Sequence, residues 1–77
     1  MKKISIALYA TLRKRRSDLA TRGAVATEAT TIGQLLDEIQ ITEVEAAIVF
    51  VNEKRATLES EVQDGDKVSI FPILGGG

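Results

Sequence analysis

Only one stretch of this chain, Thr31 to Gln40, carries the periodicity of an amphipathic helix, and that limits the possible folds more than any other feature. Ile32, Leu35, Leu36 and Ile39 fall at i, i+3, i+4 and i+7, while Gln34, Asp37, Glu38 and Gln40 take the other side. Thr31-Ile32-Gly33-Gln34 fits a capping box, in which the threonine hydroxyl accepts from a backbone N–H of the first turn and the glutamine reaches back. Much of the rest of the chain has the period of two expected of strands. One helix covers only one face of a sheet, so the expected architecture is a two-layer α+β domain. With 77 residues there is room for a single core, burying roughly 60% of the surface that the unfolded chain exposes.

Lys3 to Tyr9 alternates, with Ile4, Ile6 and Leu8 on the inward face. Leu12 and Leu19 lie seven apart in Thr11–Arg22, which predicts a short helix burying both. Gly23 punctuates, and Ala24–Ala29 returns as a second strand whose modest hydrophobicity suits a sheet edge. After the helix, Ile41-Thr42-Glu43-Val44-Glu45 makes a connection in which Ile41 and Val44 are expected to tuck under the domain. Ala46–Asn52 is apolar on both faces, which marks either a central strand or a contact surface. Asn52–Arg55 then reads as a turn, Ala56–Leu58 as a short strand, and Glu59–Gln63 as a polar connection. Asp64-Gly65-Asp66 is a turn signal, glycine taking the positive-φ position. Lys67–Phe71 is the final strand, Val68 and Ile70 inward and Phe71 outward, and Pro72 ends it because it has no N–H to donate. The first and last strands are expected to run parallel, side by side.

Cysteine and histidine are both absent, which excludes disulfides, thiolate or imidazole chemistry and nearly every zinc-type site. No metal site is expected. The net charge of −1 gives no global attraction to nucleic acid. The one basic cluster, Arg13 to Arg16, reads as a solvated face or as a docking contact for an acidic partner. Lys2, Lys3, Lys54 and Lys67 read as surface solubility residues, and the carboxylates of Asp37-Glu38 and Asp64-Asp66 as helix-face and turn residues rather than acid/base pairs. The basic start alternates as a strand instead of opening an export signal, and the longest apolar run, Ala46 to Val51, is far short of the ~20 residues that span a bilayer. A cytoplasmic protein with no membrane contact is the expectation.

Phe71-Pro72-Ile73-Leu74-Gly75-Gly76-Gly77 joins the end of a strand to a tail almost without side chains. Three glycines lack any Cβ, so this backbone can pass a narrow channel. Residues 1–72 are expected to form the folded domain and residues 73–77 a flexible glycine tail. If extended, Ile73 to Gly77 spans about 17 Å at ~3.3–3.6 Å per residue, enough to enter a buried site.

Several of these segments together resemble the MoaD/ThiS family of ubiquitin-like β-grasp sulfur carriers. They are Tyr9-Ala10-Thr11-Leu12-Arg13, Thr31-Ile32-Gly33-Gln34-Leu35-Leu36, Val51-Asn52, and Asp64-Gly65-Asp66 running through Lys67-Val68-Ser69-Ile70-Phe71-Pro72. The likeness extends over nearly the full chain. The Tyr-Ala-x-Leu-Arg and Phe-Pro segments are more similar to the branch that serves as the molybdopterin synthase small subunit than to the thiamine branch. Family members end Phe-Pro-x-x-x-Gly-Gly; here Gly76 and Gly77 take the final pair and Gly75 a variable position.

The resemblance implies a mixed sheet of four to five strands with one main helix on one face. It also implies a carrier that is not catalytic alone and binds no cofactor. A ubiquitin-activating-like adenylyltransferase would use ATP to adenylate the carboxylate of Gly77, and a sulfur donor enzyme would convert it to a thiocarboxylate. The large catalytic subunit of molybdopterin synthase would then receive the tail and pass its sulfur to a pterin precursor. In that reading Gly75 and Gly76 pass the channel, while Phe71, Pro72, Ile73 and Leu74 bind the partner. One face of the third strand, Val49-Val51 or Ile48-Phe50, belongs either to that surface or to the core. Alternatives are a carrier for thiamine or sulfur amino-acid synthesis, a ubiquitin-like modifier joined to lysines, and an unreactive interaction module.

Overall fold

The computed structural model describes residues 1–72. The elements run β1 (Lys2–Leu8), α1 (Thr11–Arg15), α2 (Ser17–Arg22), β2 (Ala24–Thr27), α3 (Ile32–Glu38), β3 (Ile48–Val51), β4 (Lys54–Ala56) and β5 (Lys67–Phe71). The expected tail, 73–77, lies outside the described residues. The strands form one mixed sheet in the order β2-β1-β5-β3-β4. β1 and β5 are parallel neighbours at its centre, as the two aliphatic faces required, and the other pairs are antiparallel. This is the β-grasp arrangement, with α3 as the main helix.

The core follows from alternation. Ile4, Ile6 and Leu8 of β1 and Val68 and Ile70 of β5 are buried on one face, where Ile32, Leu35, Leu36 and Ile39 of the α3 segment meet them. Leu12 and Leu19 are also buried, but two short helices deliver them where one was expected. The break between these helices falls at Arg16, whose φ of −121° and ψ of 57° is not helical. Gly23 closes α2 in the left-handed conformation, its N–H donating to the Leu19 carbonyl.

Boundaries depart from the sequence reading for identifiable reasons. β2 stops at Thr27 rather than Ala29 because the Thr27 hydroxyl accepts from the Ala29 N–H, turning the chain. Thr31 caps α3 as expected, accepting from the Gln34 N–H at 3.3 Å, but Gln34 reaches back to the N–H of Thr30 at 2.8 Å, one residue before the cap. The helix ends at Glu38, and Gln40 takes a φ of 61° to reverse the chain. Ile41 then tucks into the core, but Val44 is 73% exposed, contrary to expectation. The Thr42–Glu45 turn, closed by bonds in both directions between those two residues, carries Val44 on its outside.

The fourth strand is also displaced. Asn52 and Glu53 both adopt positive φ, 53° and 71°, and make a two-residue hairpin turn. β4 therefore begins at Lys54, and the expected strand at Ala56–Leu58 retains only Ala56. The rest of that segment supports the helix start instead. The Leu58 and Ser60 carbonyls accept from the N–H groups of Gly33 and Ile32, donors that a helix's first turn leaves unpaired.

Candidate functional site

Parallel pairing of β1 with β5 sets Leu8 opposite Ile70, and the Tyr9 N–H donates to the Ile70 carbonyl at 3.2 Å. One step further along, Tyr9 and Phe71 stand side by side on the face that α3 does not cover. Their rings stack with centroids 4.2 Å apart and planes 8° from parallel. Phe50 meets Phe71 edge-on, at 5.8 Å and 84°. These three are all of the chain's aromatic residues. A 77-residue domain has therefore placed none of them in its core, which is wholly aliphatic.

Phe71 points outward as expected but is half-buried, because Tyr9 and Phe50 cover it. Ile48, its direct partner across the β3–β5 pair, is 36% exposed. The third strand's two readings thus divide by parity: Val49 belongs to the core, and Ile48 and Phe50 to the outer face. Pro72 is buried immediately beyond the strand. Ile73, Leu74, Gly75, Gly76 and Gly77 lie outside the described residues.

Tyr9 is a site residue that strand-by-strand reading missed. The signal was present, since Tyr9 has the same parity as Lys3, Ser5 and Ala7; its value emerged only when pairing set it beside Phe71.

At the other end of β5 the turn carboxylates are structural. Asp66, buried, accepts from Asn52 Nδ2 and from the Gln63 N–H, both at 2.8 Å. Asn52 Oδ1 in turn accepts from the Lys67 N–H at 3.0 Å, and Asp64 accepts from the Lys3 N–H at 2.7 Å. On the helix side, Glu38 accepts from the Thr27 hydroxyl and ties α3 to the edge strand. No group of three or more acidic, cysteine or histidine side chains able to hold a metal occurs among the described residues.

The basic cluster divides into two roles. Arg16 donates to the Ile39 carbonyl and to Asp18, and Arg15 pairs with Glu45 at 2.5 Å. Both carboxylates are held below their ordinary range: Asp18 chiefly by the Arg16 bond, Glu45 chiefly by the Thr42 backbone N–H. Arg13 and Lys14 are exposed and make no ion pair with another described residue.

A sheet of this order over one helix, with its aromatic side chains gathered on the open face where the last strand ends, defines a ubiquitin-like domain. The chain belongs to the ThiS family, whose model matches residues 6–77, and it is therefore a small sulfur carrier. Carriers of this family are not catalytic themselves. Comparison with curated proteins gives no match.

Among solved structures, the Haloferax volcanii HVO 2177 protein is similar at 20% identity and a TM-score of 0.68, over 99% of this chain and 87% of that one. A candidate molybdopterin converting factor subunit 1 from Pyrococcus furiosus is similar at 22% identity and a TM-score of 0.67, over 96% and 100%. A chain of the Amycolatopsis orientalis BexX/CysO complex is similar at 23% identity and a TM-score of 0.64, over 96% and 99%. At these identities the likeness carries the fold. No helix among the described residues is long and apolar enough to cross a membrane.

Proposed function

We propose that this carrier is the small subunit of a molybdopterin synthase, that Gly77 is the residue that receives sulfur, and that the Tyr9–Phe71 face docks the partner enzymes. The observation that carries the reading is the meeting of two segments distant in sequence. Tyr9-Ala10-Thr11-Leu12-Arg13 and Phe71-Pro72, the two that most resemble the molybdopterin branch, share one corner of the domain through the stacked rings.

That corner is suited to present a chain end. Pro72 offers no N–H to extend the ladder, so the backbone is released from the sheet there. Clustered half-exposed aromatic rings provide contact area at low conformational cost. Residues 73–77 would then enter the partner's active site, with Ile73 and Leu74 seated at the entrance and Gly75 and Gly76 in the narrow part.

A carboxylate is a poor acyl donor, so its oxygen must become a leaving group. The adenylyltransferase supplies ATP, and the Gly77 carboxylate displaces pyrophosphate to form the acyl-adenylate. The outer sulfur of the donor enzyme's persulfide then displaces AMP to give an acyl disulfide. A thiol cleaves its S–S bond, becoming a disulfide itself and releasing the thiocarboxylate that the large synthase subunit consumes.

Mass spectrometry after incubation with the adenylyltransferase, ATP and a persulfide donor tests the first half: one oxygen of Gly77 is exchanged for sulfur. Adding the large subunit and the pterin precursor tests the second, dithiolene formation with loss of that sulfur. A thiocarboxylate consumed only by thiamine or sulfur amino-acid enzymes would move the pathway, and isopeptide adducts on target lysines would replace the carrier role proposed for Gly77 with a modifier's.

A further inference from the structure

The net charge of −1 conceals a separation of charge across the sheet. Register fixes which strand residues share the open face with Tyr9 and Phe71. Lys67 pairs with Ser5 on that face, Arg55 stands opposite Phe50, and Lys3 lies two positions from Ser5. No aspartate or glutamate occupies an outward position on any of the five strands.

Lys3, Arg55 and Lys67 are exposed and make no ion pair with another described residue. Arg13 and Lys14, equally unengaged, follow Tyr9 in sequence on α1. Exposed carboxylates lie instead beside α3, at Asp37, Glu43, Glu59 and Glu61, and in the turns at the strand ends, at Glu53 and at Asp64, which accepts from the Lys3 N–H.

We infer that the open face docks an acidic protein surface, whose apolar centre receives Tyr9, Phe71 and Ile48 and whose rim of carboxylates faces these cations. The inference rests on the carrier reading and names the chemistry of the partner that reading requires. Single-stranded nucleic acid, the other ligand of a basic aromatic sheet, fits less well. Bases stack on open ring faces, whereas Tyr9 and Phe71 cover one another at 4.2 Å and the edge of Phe50 or Phe71 closes the contact between those rings. Rim charges act mainly on encounter, steering association through a field that salt screens.

The test is stopped-flow association of the full chain with the host's purified adenylyltransferase, its activity verified by ATP–pyrophosphate exchange. Raising salt from about 0.1 M to about 1 M shortens the screening length from ~10 to ~3 Å and is expected to slow wild-type association by ~10-fold or more. The combined Lys3→Gln, Arg55→Gln, Lys67→Gln variant, at exposed positions and with its fold checked by circular dichroism, is expected to lose most of that salt dependence. An Asp37→Asn, Glu59→Gln variant is expected to retain it. Equal rates for wild type and the triple variant at low salt, with both chains still acquiring sulfur, overturn the electrostatic face and leave the carrier intact. A wild-type chain that binds the enzyme but gains no sulfur overturns the carrier reading and this inference with it. Tight binding of a uridine oligomer by the wild type, lost in the triple variant, reassigns the face to nucleic acid.

Discussion

Tyr9 and Phe71, 62 positions apart in the chain, stack 4.2 Å centroid to centroid across the two central strands. The contact exists because β1 and β5 are parallel and in register, so the residue that follows one strand and the last residue of the other reach the same corner. It joins the start of the domain to the point where the chain leaves it. In the proposed reading, the side chains that dock a partner and the segment that follows Pro72 are thereby set by one pair of strands.

The stacking itself is measurable. Tyr9→Ala and Phe71→Ala are each expected to leave the fold intact, because both residues lie outside the aliphatic core. A double-mutant cycle read by urea denaturation should return a coupling of about 0.5–1.5 kcal/mol, the range for aromatic pairs beyond simple burial. Strict additivity of the two single changes would mean that the rings are neighbours without being partners.

The turn into β5 should be as sensitive as a core position. Asp66→Ala leaves Asn52 Nδ2 and the Gln63 N–H without their acceptor, at a cost of about 1–3 kcal/mol. Asp66→Asn keeps one acceptor oxygen and should cost less. Gly65 adopts a φ of 87° with nothing within 4 Å of where a Cβ would stand, so Gly65→Ala meets no clash and its cost is conformational, about 1–2 kcal/mol. Denaturant midpoints order the three variants. An Asp66→Ala protein as stable as wild type would remove the network from the account of this turn.

What the sequence made legible follows from how local each signal is. The α3 pattern, the inward triplet Ile4-Ile6-Leu8 and the Asp64-Gly65-Asp66 turn are written within a few residues, and each appears in the structure as read. Parallel pairing of the first and last strands followed from the aliphatic inward face that each carries and from the helix between the two halves of the chain. Val44 and β4 were misread because a two-residue turn at Asn52-Glu53 and the Thr42–Glu45 closure depend on positive φ at non-glycine residues and on side-chain bonds that periodicity does not encode. The aromatic corner was half legible: Phe71 was seen, whereas Tyr9 required the register.

Acid should uncover the Glu45 contribution. Its folded-state pKa lies below the ordinary carboxylate value, held there first by the Thr42 N–H and further by Arg15 and Arg16. A depressed folded value means that the stabilisation is fully present above the unfolded pKa and is lost as pH falls through the folded one. Glu45→Gln should therefore lower the melting temperature slightly at pH 7, and the difference from wild type should close in the acid range below the ordinary carboxylate pKa. The group is half-buried at the surface, where solvent screens it, so the effect is small and weakens with salt. A gap that widens toward acid would contradict the assigned direction.

Gly76 and Gly77 carry the sharpest prediction about function. Both follow Pro72, beyond the last strand, so an alanine at either position is expected to leave the urea midpoint at the wild-type value. A Cβ at either position narrows the fit of the chain in the channel proposed for it, and misplacing a reacting acyl carbon by about 1 Å costs on the order of 100-fold in rate. Gly77→Ala should impair adenylation most, because the added methyl sits on the carbon next to the reacting carboxylate. Gly76→Ala and Gly75→Ala should both impair passage, Gly75→Ala less because that position is the variable one. Pyrophosphate release followed with each variant separates these cases, and sulfur incorporation by mass spectrometry follows the later step. If Gly76→Ala and Gly77→Ala both accept sulfur at the parent rate, the tail is not threading a channel that tests its width, and the three glycines serve reach alone.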